Sequence, residues 1–183
     1  MSPFATDQSV PKLIAWLPPS CAGQLKLNTD GCAKNEPGQA GFGGLFQDER
    51  RQWVLGYTRK LESTTSLQAK LWAIYRGLTI ILEKGWREIQ VKTDCKVTVN
   101  RITTSDEQLQ NYPFRALLFD IKALLQRTEC HITHIYREGN KYADELARLG
   151  VAQAVNLEVY DDPPQSLQPL LVANMVGIVY ERV

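Results

Sequence analysis

Two segments of the chain end almost alike, LNTD at Asp30 and VKTD at Asp94. Each aspartate has the polar parity of an alternating segment and lies at its carboxyl end. In open α/β sheets, ligands gather outside such strand ends. If a crossover helix sets the two strands side by side in parallel, both carboxylates reach one point. Crowded carboxylates repel, and a hard cation such as magnesium relieves that repulsion. Taken singly, each aspartate also has a plainer reading. Asp30 before Gly31 is a common turn pair, and Asp94 could cap the helix that follows.

The elements that would carry these residues follow from periodicity. QLKLNTDG (24–31), GFGGLFQDE (41–49) and RQWVLGYTRKL (51–61) read as an antiparallel meander of three strands. The period then changes to 3.6, with Leu67, Leu71, Ile74, Tyr75, Leu78, Ile81 and Leu82 on one stripe. Thr65 with Gln68 fits a capping box, and Gly85 is a stop signal. REIQVKTD (87–94) is a fourth strand and 95–102 a short helix. TTSDEQLQN is a loop, PFRALLFDIKALLQR a long helix and CHITHIYRE (130–138) a fifth strand. NKYADELARLG (140–150) closes the series as a helix that Asn140 is placed to cap. The order βββαβαβα predicts an α/β domain with one five-stranded mixed sheet, three antiparallel strands then two parallel, flanked by helices. Residues 1–22 form an irregular arm, 23–152 the domain, and 153–183 a linker with a short packed extension.

The 21 basic and 20 acidic residues give a formal charge of +1, so any nucleic-acid surface must be local. Cys21, Cys32, Cys95 and Cys130 show no CxxC spacing. With no secretory leader in the sequence, reduced thiols in the nucleus or cytoplasm are expected. No apolar run is long enough to span a membrane. His131 and His134, three apart on a strand, point to opposite faces and do not form a joint metal site.

Together NTDG, GFGG, the AxLWA helix that runs on from Ala69 (here AKLWA), VKTD and REGNKYADELA resemble the type one ribonuclease H domain over roughly residues 24–150. More narrowly they resemble its plant branch linked to non-LTR retrotransposons. The resemblance implies a nuclease for RNA–DNA hybrids that uses magnesium, with manganese as an alternative. Two ions roughly 4 Å apart clamp the attacking water and leaving oxygen in such chemistry. Asp30, Asp94 and Asp144 match the family's aspartate ligands, while its glutamate position carries Lys70. A protonated lysine cannot ligate a cation, and two unit charges ~4 Å apart at an effective dielectric near 20 interact by about 4 kcal/mol. Lys70 is therefore expected to pair with Asp30 or Asp94, weakening metal binding and activity. Pattern alone also permits a solvated surface lysine, because position 70 lies off the apolar stripe.

The resemblance further implies nucleic-acid contacts at Thr65 and Asn140, with Gly31 and Arg137 as further candidates, while Lys96 with Lys92 and Arg101 reads as a solvated face or as a small basic patch for nucleic acid. Where the family usually carries GNPG, this chain has NEPG with Glu36, and TTSDEQLQ replaces a basic insertion. Hybrid binding by a monomer is thus expected to be weak. Two function classes stay open: an impaired hybrid nuclease, or a non-catalytic nucleic-acid-binding module or transposon remnant.

Overall fold

Alternation at the start of the chain becomes a strand because its apolar side has a helix to bury against. In the computed structural model, which describes residues 24–175, β1 (Lys26–Ala33) places Leu27 wholly inside. Antiparallel β2 (Gly38–Gln47) and β3 (Trp53–Thr64) follow, then α1 (Ser66–Lys84), β4 (Gln90–Thr93) and α2 (Lys96–Thr103). The chain continues through α3 (Arg115–Thr128), β5 (His131–His134), α4 (Lys141–Ala152), β6 (Leu157–Tyr160) and α5 (Gln168–Met175). The sheet order is β5-β4-β1-β2-β3-β6, with β4 parallel to β1 and β5 parallel to β4.

This is the expected α/β arrangement with one strand more. β6 pairs antiparallel with β3, from Gly56↔Tyr160 to Arg59↔Leu157, at an edge the sequence analysis did not single out as strand. The Trp53 indole donates to the Tyr160 carbonyl at 3.2 Å and anchors it. Two other expectations shift locally. The fifth strand ends at His134, and Arg137–Gly139 forms a 3-10 turn. The TTSDEQLQN loop contains a 3-10 turn at Asp106–Leu109 that buries Leu109 completely. The N-terminal arm and Cys21 lie outside the described residues.

Each face of the sheet has its own core. On one, Leu27, Phe42, Phe46 and Tyr57 pack against Leu71, Ile74, Leu78 and Ile81 of α1, with α3 beyond. The Tyr57 hydroxyl donates to the Ala73 carbonyl at 2.6 Å. Leu71, Ile74, Leu78 and Ile81 of the expected stripe are wholly buried, the buried arc widens to Ala69, Ala73 and Gly77, and Leu82 is exposed. Small residues face the sheet because close helix approach requires them. On the other face, α4 packs Tyr142, Ala143 and Leu146 over Leu45. A Cβ on Gly41 would lie 2.3 Å from the Val151 nitrogen, so glycine there sets the depth of α4.

Candidate active site

The parallel register of β1 and β4 pairs Lys26 with Gln90, Leu27 with Val91 and Asn28 with Lys92. Continued two residues, the same register brings Asp30 level with Asp94. Helix α1 starts beside them. Thr65 caps it by accepting from the Gln68 N–H at 3.2 Å, while the Gln68 side-chain oxygen accepts from the Thr64 hydroxyl. The capping box is thus half formed, and Thr65's hydroxyl serves the helix. Gly31 has a steric task, because a Cβ there would lie 2.4 Å from the Ala69 carbonyl carbon and the Lys70 nitrogen. Its bareness lets the first turns of α1 approach the end of β1 and carry Lys70 to the carboxylates.

Lys70 joins both. Its ammonium donates to Asp30 Oδ1, and to Asp94 Oδ1 at 3.2 Å. The site is shielded, with Asp30, Asp94 and Lys70 side chains 2%, 6% and 16% exposed. Burial opposes the Lys70 charge, but Asp30 and Asp94 together outweigh it and hold its pKa above the ordinary lysine value. Burial pushes the Asp30 carboxyl up; Lys70 opposes that rise, Asp94 adds to it, and the Gly31 N–H bonds the carboxylate at 2.8 Å. Arg137, from the turn before α4, brings its Nε to 4.0 Å from Asp94 Oδ2.

Asp144 stands in the first turn of α4, where the helix dipole favours an acid. Its carboxylate is held by Arg148 one turn on, with Nη2 at 2.9 Å. Burial raises the Cys32 pKa, and the charges of Asp30 and Asp144 add to the rise; Cys32, Arg137, Asp144 and Arg148 line one open pocket. Even so, the described residues contain no group of three or more His, Cys, Asp or Glu side chains that could hold a metal ion. A magnesium centre does not fit this donor set. The ground between Asp30 and Asp94 belongs to an ammonium, and Asp144 already has a guanidinium partner.

Asn140 precedes α4 but makes no side-chain cap. Its amide donates to the Thr29 carbonyl at 3.0 Å and accepts from the Asn28 amide at 2.9 Å. At 1% exposure it fastens α4 to β1, so any effect on nucleic acid would run through the backbone it holds. Glu36 reaches the start of α1, accepting from the Ser66 N–H at 3.0 Å and from its hydroxyl. Lys96 and Arg137 are exposed on the rim. Sequence reasoning missed Arg148 and Asn28. The i,i+4 spacing of Asp144 and Arg148 was a readable signal, whereas the partner of Asn28 lies 112 residues away.

A family profile described as reverse transcriptase-like matches residues 28–150. The chain is 30% identical over 178 residues to a provisionally named ribonuclease H protein of Arabidopsis thaliana. That match covers 97% of this chain and 28% of the relative, so the chain spans little more than a quarter of the relative's length. RNase H1 from the archaeon Halobacterium salinarum superposes with a TM-score of 0.65 at 24% identity, covering 72% of this chain and 100% of that one. A compost-derived RNase H1 solved with an RNA/DNA hybrid gives 0.62 at 23% identity, covering 72% and 99%. These two likenesses establish the fold.

Proposed function

The chain belongs to the reverse-transcriptase-like family of ribonuclease H-type domains, and from that premise we propose that it is a nucleic-acid-binding domain of hybrid-nuclease descent whose metal-dependent cleavage is impaired. The observation that carries the proposal is the Lys70 ammonium bonded to both Asp30 and Asp94. A cation on the chain supplies the charge that two crowded carboxylates need, and it competes with any divalent ion for the same oxygens. Arg137 and Arg148 extend the same balance to the rest of the rim. The relatives supply the substrate class, an RNA–DNA hybrid.

Cleavage of a labelled hybrid across a magnesium series, by the wild type and Lys70→Glu, tests the reading. The wild type is expected to cleave poorly or not at all. Lys70→Glu removes the competing ammonium and adds a carboxylate, and should raise the rate by about 10² or more, roughly 3 kcal/mol of barrier. Brisk cleavage by the folded wild type would end the proposal.

A further inference from the structure

Beside the acidic rim runs an open groove of about 490 Å³, of a size with known ligand clefts. It lies beyond the carboxyl ends of β4 and β5 and is lined by Lys96, Val97, His134, Tyr136, Arg137 and Glu138. His134 is the last residue of β5, and Tyr136 follows at the start of the 3-10 turn. Their rings meet edge to face, with centroids 5.8 Å apart and planes at 85°, and both are half-buried. Val97, 51% exposed, adds an apolar contact surface. Lys96 and the 80%-exposed Arg137 bring cations to the lining. Two acids share the lining: Asp94, which Lys70 holds at Oδ1 and Arg137 approaches to 4.0 Å at Oδ2, and Glu138.

Aromatic faces with flanking cations are the chemistry that holds unpaired nucleotides, the rings taking a base and the cations its phosphate. Bases inside a duplex are already stacked and cannot use such a surface. We propose that this groove is a binding site for single-stranded nucleic acid, in which a base stacks on the His134–Tyr136 pair while Lys96 and Arg137 hold the neighbouring phosphate. The site needs no metal and no strand scission, so it does not rest on the cleavage reading above.

The test is fluorescence anisotropy of the full chain with two labelled strands of equal length, an oligodeoxyadenylate and an abasic backbone, at low salt with chelator present. The base-bearing strand should bind about tenfold more tightly, the size of one good stacking contact. His134→Ala combined with Tyr136→Leu should erase that advantage while keeping the abasic binding. Lys96→Ala with Arg137→Ala should weaken both strands alike. His134→Ala alone, at the end of a strand, provides the same comparison should the double variant melt early. Equal binding of the two strands by the wild type, survival of the advantage without the rings, or no binding of either strand would each overturn the proposal.

Discussion

Lys70 sets the electrostatics of its corner because it reaches two carboxylates that have almost no water of their own. A lysine whose pKa is raised on folding stabilises the protein throughout the range below its ordinary value of 10.5, and that stability is lost only as pH climbs through the higher folded value. The opposite sign holds for Asp30. Its pKa is raised by burial, so its ionised form is costly, and the cost is relieved as pH falls through the folded value. Lys70→Met keeps the side chain's bulk and deletes the charge, leaving buried Asp30 and Asp94 facing each other. Removing one partner of a buried pair costs about 3 kcal/mol. Urea unfolding near pH 7 should show a loss of that order, and a second series at lower pH a smaller one, as Asp30, its pKa raised by burial, takes up a proton. A loss of the same size at both pH values would mean that the lysine acts by packing alone.

The elements around this corner differ in how plainly they could be read from the sequence. β1 and α1 were legible because their periods, two and 3.6, run over eight residues or more, whereas β2 was read through its glycines as a short strand in close contact and proves to be ten residues long. The TDG and TD endings pointed Asp30 and Asp94 to one site although β4 is only four residues long, and the family resemblance singled out Lys70 on the helix between them. β6 was not legible. Its alternation of Leu157 and Val159 with Glu158 and Tyr160 lasts only four residues before DDPP, and the partner that makes it a strand is a hundred residues back. Asn140 was legible as a helix start but not as a clasp, since its bonds to Asn28 and Thr29 are products of the tertiary fold. The stretch after β6 contributes more than a tether. Leu167 is fully buried against Leu45, Tyr142 and Leu146. Leu167→Ala is therefore expected to cost about 3 kcal/mol and to loosen α4, which thermal melts and amide exchange would report. A variant as stable as the wild type would place this leucine outside the core.

Across the whole molecule, basic and acidic residues nearly cancel, and the site repeats that balance in miniature. Lys70 and Arg137 answer Asp30 and Asp94, and Arg148 answers Asp144. A surface so neutralised has little long-range pull on a polyanion, so hybrid binding should be weak, and what binding there is, being electrostatic, should fall as salt rises. Titrating a labelled hybrid at two salt concentrations checks this, and tight binding indifferent to salt would contradict it. The balance also leaves no electrostatic demand for a divalent ion, which is the centre of the account. Calorimetric titration of manganese into the wild type and Lys70→Glu tests that claim most directly, without relying on any substrate. The wild type should show no saturable binding into the millimolar range, and Lys70→Glu should acquire a site there. Saturable binding to the wild type as tight as to Lys70→Glu would show that the ammonium does not hold the metal's place.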